Sequence, residues 1–179
     1  EDMLGIDLVI PDITYLMTNK DKLRGYVFTH GHEDHIGATP YVLDKAPAPV
    51  FGSRMTLALI ENMLRVHHIN GIETIPVQPR QIVQLGCFTV QFITVNHSIA
   101  GAYALIITCP AGTVVVTGDF KIDFTPPDGM VTDLSALAAA GERGVLALMC
   151  ESTNVERPGY TMSESKVAAT FAEQIGTAA

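Results

Sequence analysis

Short apolar runs alternate with polar turns along most of the chain, a pattern that predicts both strands and helices. Apolar runs of strand length, separated by turns rich in glycine and proline, predict strands at 23–29, 50–52, 73–77, 81–85, 88–94, 102–108, 113–117 and 145–149. Helical spacing predicts helices over 38–45, after the cap residue Ser53, over 134–140 and over 163–175. Leu8 to Ile10 reads as a short apolar segment closed by a turn.

Mixed strands and helices with polar loops at the strand ends predict an α/β protein built from layered sheets. In such folds, ligands gather in the loops at one end of the strands. The hydrophobic pattern alone does not specify which α/β fold this is.

Composition narrows the picture. The 179 residues are 47% hydrophobic, enough for one domain with a core, and 11 basic against 19 acidic residues give a net charge of −8. This charge argues against a broad cationic nucleic-acid surface, although divalent ions in a cleft would still admit a nucleic acid. Cys87, Cys109 and Cys150 have no paired spacing, so we expect reduced thiols in a cytoplasmic protein rather than disulfides or a cysteine zinc site.

The chain lacks the run of about 18 apolar residues that a membrane span requires, so we expect no membrane partner. Its start has no basic region followed by an apolar run and therefore does not read as a signal peptide. It also does not begin with Met, from which we expect a fragment.

The most informative chemistry lies in residues 30–35, which read His-Gly-His-Glu-Asp-His between a predicted strand and a helix expected to begin at Ile36. Imidazole and carboxylate are ligands of zinc or manganese. His30 and His32 are close enough in sequence to reach one ion. Asp34 and His35, further along the same window, can point at a second ion close by. Solvated loop histidines are the alternative, which such dense packing of ligands disfavours.

His97 and Asp119 each follow a predicted strand, as the first cluster does. A single histidine after a strand is usually a structural hydrogen-bonding residue. A Gly-Asp pair after a strand usually forms only a turn. Together they complete two predicted ligand groups: His30, His32 and His97 for one ion, and Asp34, His35 and the bridging Asp119 for the other. Two ions roughly 3.5–4 Å apart lower the pKa of a shared water toward neutrality and provide a hydroxide nucleophile. His67 and His68 close a helix, where histidine suits the helix dipole.

With these residues, the chain resembles the metallo-β-lactamase superfamily and, within it, the ribonuclease J family of the β-CASP group. The resemblance rests on GIDLVIPDITYL (5–16), FTHGHEDHIGATPYVL (28–43), VNHSI (95–99), VVVTGDFKID (114–123) and ESTNVERPGYTMSE (151–164). It implies an αβ/βα sandwich, here incomplete, with N-terminal strands and the β-CASP domain missing. Residues 1–162 would be the partial metallo-β-lactamase domain and 163–179 a connecting helix.

The resemblance also implies a function. Members hydrolyse RNA phosphodiester bonds as 5′–3′ exonucleases and endonucleases, in mRNA decay and rRNA maturation, with two metal ions that are usually zinc, manganese being the alternative. The family's ligands map onto the six residues above, with Asp34, His35 and Asp119 as catalytic residues. Ser152 and Asn154 would lie near the RNA. The alternative is that they form only a turn and cap that lead to the last helix. The parent protein would be a homodimer or homotetramer.

The chain departs from the family pattern at two places, Ala100-Gly101 instead of Pro-Asp and Cys150-Glu151 instead of Ser-Asp. A further family ligand, a late histidine, is absent, so we expect weak metal binding at the second position and little RNase activity from these residues alone. Two alternatives remain open. One is another hydrolase on this scaffold, acting on small esters or thioesters. The other is a metal-binding fragment without activity.

Overall fold

The computed structural model describes Gly5 and residues 9–177, and in this part of the chain the strands form two sheets. The strands are β1 (Tyr26–Val27), β2 (Val50–Gly52), β3 (Thr74–Pro76), β4 (Ile82–Leu85), β5 (Phe88–Thr94), β6 (Tyr103–Cys109), β7 (Gly112–Val116) and β8 (Ala147–Met149). The helices are α1 (Thr14–Thr18), α2 (Glu33–Ile36), α3 (Thr39–Lys45), α4 (Arg54–Val66), α5 (Leu134–Arg143) and α6 (Glu164–Thr177), with a 3₁₀ turn at Lys20–Lys22.

The first sheet has the order β1-β2-β3 and is parallel, because helices lie between successive strands and return the chain to the same edge. The second has the order β4-β5-β6-β7-β8. Its first four strands are antiparallel, with tight turns at 86–87 and 110–111 and a longer loop, 95–102, between β5 and β6. Strand β8 follows α5 and pairs parallel to β7.

The two sheets pack face to face with helices on their outer sides. Phe51 of the first sheet lies in one apolar cluster with Phe92 and Leu105 of the second, which forms the layer between the sheets. Ile60 and Leu64 of α4 cover the other face of the first sheet, in the cluster that contains Val50. Each such buried side chain contributes roughly 1.5–3 kcal/mol relative to exposure.

Alternation along β5 explains how one strand serves two layers. Phe92 faces the first sheet, while its neighbour Ile93 points to the opposite side and packs with Ala104 and with Ala140 of α5. The layers are therefore helix, sheet, sheet, helix, which confirms the predicted αβ/βα sandwich as a mixed α/β fold with two sheets.

Most predicted elements are present, with a few differences. The structure has the predicted strands 50–52 and 88–94 at the same bounds. The predicted strand 23–29 is wrong in length, because only Tyr26 and Val27 pair with β2. Helix α1 was not predicted; the Asp12 carboxylate accepts a hydrogen bond from Thr14 N (2.9 Å) at its start. Of the apolar segment 8–10, Leu8 lies outside the described residues, and 9–10 have no regular structure.

An ion pair joins the turn before β4 to the start of α5. The Arg80 guanidinium donates from Nε to Asp133 Oδ2 (2.6 Å) and from Nη2 to Oδ1 (2.9 Å). Asp133 Oδ1 also accepts from Ala136 N (3.1 Å), which caps the helix. The hydrogen bond from Arg80 is the largest cause that holds the pKa of Asp133 well below its usual value, against an opposing effect of burial.

Asp133→Ala is therefore expected to lower the free energy of unfolding by about 1–2 kcal/mol at neutral pH. Because the folded pKa is depressed, the contribution is complete above the unfolded pKa of 3.8 and disappears as the pH falls through the folded pKa. Urea unfolding at pH 7 and pH 3 measures both values. Asp44→Ala, at an exposed carboxylate paired with Lys45, is the control and should change stability less. An equal loss in both variants would contradict the assignment.

Candidate metal centre

His30 lies where the two sheets meet. The chain after β1 continues beside β2, with Phe28 N donating to Phe51 O (2.9 Å), and then contacts β6, with Tyr103 N donating to Thr29 O (2.8 Å). This path carries His30 to a position where it is 0% exposed. Its Nδ1 lies 3.1 Å from Thr29 Oγ1, but its buried Nε2 has no hydrogen-bond partner among the described residues. An unpaired buried nitrogen costs about 1–3 kcal/mol, so a bound cation is a physically sensible partner for this atom.

Gly31 allows the next turn to pack against α4. A Cβ at Gly31 would lie 2.7 Å from Leu59 Cδ1 and 3.3 Å from Thr56 Cα, so no larger residue fits without movement. Helix α2 then begins at Glu33 rather than at the predicted Ile36. This single helical turn folds residues 33–35 back toward His30. An extended loop would carry these residues away from it.

The turn of α2 brings His35 to His30, with ring centroids 4.1 Å apart. His97, which follows β5, closes the other side of the cluster, and its Nε2 lies 2.9 Å from His32 Nδ1. Ligand atoms of His30, His32 and His97 all lie within 4.8 Å of one another. The structure therefore brings together the three imidazoles that the sequence groups around one ion.

Asp119 reaches the cluster from the end of β7. Gly118, which precedes it, has φ of +57° and its Cβ position lies 2.8 Å from Thr29 Cβ, so glycine is required by both conformation and space. The Asp119 carboxylate lies between two imidazoles, with Oδ1 3.5 Å from His35 Nε2 and Oδ2 3.9 Å from His97 Nε2.

The second ligand group differs in one member from the predicted set. Ligand atoms of His30, His35 and Asp119 lie within 4.8 Å of one another, whereas Asp34 is not among them. The Asp34 side chain is 77% exposed and its Oδ2 lies 3.5 Å from His35 Nε2. Asp34 thus stands at the solvent-facing edge of the group.

Burial favours the neutral form of two of these imidazoles, those of His30 and His97. It lowers the pKa of His30 to about 4, and repulsion by the nearby imidazoles of His35 and His97 acts in the same direction. Burial, followed by the charge of His32, also lowers the pKa of His97. Neutral imidazoles keep a free lone pair at pH 7 and can coordinate a cation without first losing a proton. Three imidazoles with adjoining carboxylates are a donor set that suits zinc or manganese.

Ser152 and Asn154 do not join the cluster. Both are exposed and form a turn in which Val155 N donates to Ser152 O (3.0 Å) and Arg157 N to Asn154 O (2.8 Å). Asn154 has a φ of +62°, which asparagine tolerates better than most residues.

Glu151 lies near this cluster, although the sequence marks it only as part of a departure from a family pattern. Its carboxylate accepts from Phe120 N (3.3 Å), next to Asp119, and from Thr153 N (2.8 Å). Burial raises the pKa of Glu151, but these hydrogen bonds outweigh it and the net shift is downward. Its negative charge partly offsets the lowering of the pKa of His97 by burial. Its position directly before the Ser-Thr-Asn turn was the available signal.

Two other features complete the surroundings. A cleft of about 310 Å³ lies beside His97, between residues 98–101 and 126–130. His67 and His68 lie exposed at the end of α4, outside both ligand groups, and the His67 ring contacts Tyr41 edge-on.

No helix in the described part of the chain combines the length and apolarity that crossing a bilayer demands.

Comparison with known proteins places this geometry in a family. The family model of the metallo-beta-lactamase superfamily matches residues 19–147. Ribonuclease J of Synechocystis is 46% identical over 172 residues, which are 93% of this chain and 27% of that protein. Ribonuclease J of Thermus thermophilus is 41% identical, over 99% of this chain and 32% of its own length.

The chain thus spans between a quarter and a third of the length of these curated relatives. A solved structure of a protein of unknown function from Enterococcus faecalis superposes on 78% of this chain and 33% of that chain, with a TM-score of 0.54 and 19% identity, a likeness of fold. The chain belongs to the metallo-β-lactamase superfamily and is a homologue of ribonuclease J.

Proposed function

We propose that this chain supplies the metal centre of a ribonuclease that hydrolyses RNA phosphodiester bonds. The observation that carries the proposal is the group of three close imidazoles, His30, His32 and His97, beside the Asp119 carboxylate. The homology to ribonuclease J supports RNA as the substrate class.

In this proposal His30, His32 and His97 hold one zinc ion. Asp34, His35 and Asp119 would hold the second, with Asp34 reaching it from the solvent-facing edge, and manganese is the alternative metal. When bound, such ions lower the pKa of a coordinated water and neutralise charge on the phosphate oxygens. Because the chain carries a net charge of −8, neutralisation by bound cations would favour the approach of RNA, which is a polyanion.

The residues of the chain have distinct tasks at this centre. The Asp119 carboxylate would link the two ligand groups, since its oxygens lie 3.5 Å from His35 Nε2 and 3.9 Å from His97 Nε2. Burial of His30 excludes water from one side of the cluster. Asp34 and His35 form the open side, where the substrate phosphate approaches.

Ser152 and Asn154, both exposed after β8, would donate hydrogen bonds to the RNA from the rim. The finer features of the proposal rest on ribonuclease J alone. They are 5′–3′ exonuclease and endonuclease activity, roles in mRNA decay and rRNA maturation in the cytoplasm, a homodimeric or homotetrameric parent, and a domain division into 1–162 and 163–179.

A chimera tests the proposal, in which this chain replaces the matching segment of Synechocystis ribonuclease J. The chimera is expected to cleave 5′-monophosphorylated RNA with added Zn²⁺ or Mn²⁺ and to leave aryl esters and thioesters intact. The 179-residue chain alone is expected to cleave RNA far more slowly. Cleavage of the esters with intact RNA would replace the proposal with a small-molecule hydrolase, and metal binding without any hydrolysis would leave only a metal-binding role.

A further inference from the structure

We propose that Asn96 is a positioning residue that holds two metal ligands, His97 and Asp119, in register with each other. This inference rests on the proposed function for its consequence, but its geometry stands on contacts away from the ligand atoms themselves. Asn96 directly precedes His97 and is 7% exposed.

The Asn96 side chain forms hydrogen bonds to one segment, residues 130–132. Its Nδ2 donates to Met130 O (2.6 Å). Its Oδ1 accepts from Thr132 N (2.9 Å), and the Thr132 hydroxyl lies 3.1 Å from the same oxygen. Thr132 is 6% exposed, so these bonds are shielded from water and each unmade one is costly.

The backbone of Asn96 joins the same segment to the loop that carries Asp119. Lys121 N donates to Asn96 O (2.8 Å), which forms an isolated antiparallel bridge two residues after Asp119. The Thr132 hydroxyl accepts from Asn96 N (2.9 Å) and lies 3.2 Å from Lys121 O. Asn96, Lys121 and Thr132 thus form a closed ring of hydrogen bonds.

Besides stabilising the fold, the ring links the two loops that carry His97 and Asp119. His97 and Asp119 come from different strands, β5 and β7, between which β6 lies in the sheet. The strand ladder therefore does not join their loops directly, and the Asn96–Lys121 bridge does. Outer groups that orient metal ligands typically change metal affinity by about 10–100-fold when they are removed.

The segment 130–133 has other attachments, so a variant at Asn96 is expected to fold. Asp133 N donates to Thr94 O (3.0 Å), and the Asp133 carboxylate keeps its ion pair with Arg80. Lys121 is also anchored independently, through Nζ to Met162 O (3.0 Å) and to the Glu164 carboxylate.

The test measures Co²⁺ binding by the 179-residue chain through visible absorption, together with the thermal midpoint of the metal-free protein. Asn96→Asp keeps the size of the side chain but removes the donor to Met130 O, and Thr132→Val keeps the shape but removes the hydroxyl. Both are expected to weaken Co²⁺ binding by about 10–100-fold and to alter the Co²⁺ spectrum. Thr132→Ser, which restores the hydroxyl, should bind Co²⁺ as the wild type does.

Ile60→Val and Leu64→Ala are the controls, because they lower stability through the core around α4 without touching the ring. They bracket the stability loss of the test variants and should keep wild-type Co²⁺ affinity. The inference would be overturned by any of three results. These are wild-type Co²⁺ affinity in Asn96→Asp, an equal loss of Co²⁺ affinity in a control of equal stability, and no Co²⁺ binding by the wild type. Co²⁺ binding that depends on Asn96, in a chain whose chimera does not cleave RNA, would support the inference and refute the proposed function.

Discussion

The His30→Ala/His32→Ala chimera is expected to lose zinc at the three-histidine group and to cleave RNA at least about 1,000-fold more slowly than the unmodified chimera. Both imidazoles belong to the same ligand group, and removing two of three donors leaves His97 alone to hold the ion. A metal ion contributes several kcal/mol of charge stabilisation in the transition state, and each 1.36 kcal/mol corresponds to about tenfold in rate. Elemental analysis after dialysis and a time course of RNA cleavage measure the two effects.

His67→Gln/His68→Asn is the matched control, because it also removes two histidines and both are exposed outside the ligand groups. Asparagine is chosen at His68 because that residue has a φ of +58°, which asparagine adopts at low cost. The control should keep both zinc and activity. RNA cleavage by the His30→Ala/His32→Ala chimera at the unmodified rate would refute the metal centre as the catalytic site.

Gly118→Ala is expected to lower the free energy of unfolding of the chain by about 2–4 kcal/mol. About 1–2 kcal/mol comes from a left-handed backbone with a Cβ, and the rest comes from overpacking against Thr29, whose Cβ would lie 2.8 Å away. The same collision moves Asp119 away from His35 and His97, so the variant should also bind Co²⁺ more weakly at a temperature where it is fully folded. Urea unfolding and a Co²⁺ titration measure the two effects.

Gly129→Ala separates the two causes. Gly129 has a similar φ of +71°, but a Cβ there meets nothing within 4 Å. This variant should show only the backbone cost of about 1–2 kcal/mol and unchanged Co²⁺ binding. If both glycine variants were destabilised equally, the close approach of the Asp119 loop to Thr29 would not matter for stability.

The sequence was sufficient for the features that depend on local pattern. Strand β5 has apolar residues at alternate positions from Phe88 to Phe92, of which Val90 and Phe92 pack toward the first sheet, and its bounds were predicted without error. The windows around His30, His97 and Asp119 were each recognisable because polar ligands directly follow apolar strands. Their convergence was predicted from that shared position and is present in the structure.

Features that depend on tertiary contacts escaped prediction. Strand β1 is short because the chain after Val27 leaves the ladder to bond to both sheets, which no local pattern encodes. The proximity of His30 to His35 follows from a helical turn that begins at Glu33 and from the close fit of Gly31 against α4. The hydrogen bonds of Asn96 and Glu151 reach residues 36 and 31 positions away in the chain, so no local pattern indicated them.

The most direct test of the central claim is a crystal structure of the zinc-soaked chain with anomalous diffraction measured at the zinc edge. A peak in contact with the imidazoles of His30, His32 and His97 is the predicted result, with a second peak beside His35 and Asp119 at higher zinc concentration. The first peak should be absent from the His30→Ala/His32→Ala variant. No peak at the three imidazoles, or zinc bound only by other residues, would contradict the account.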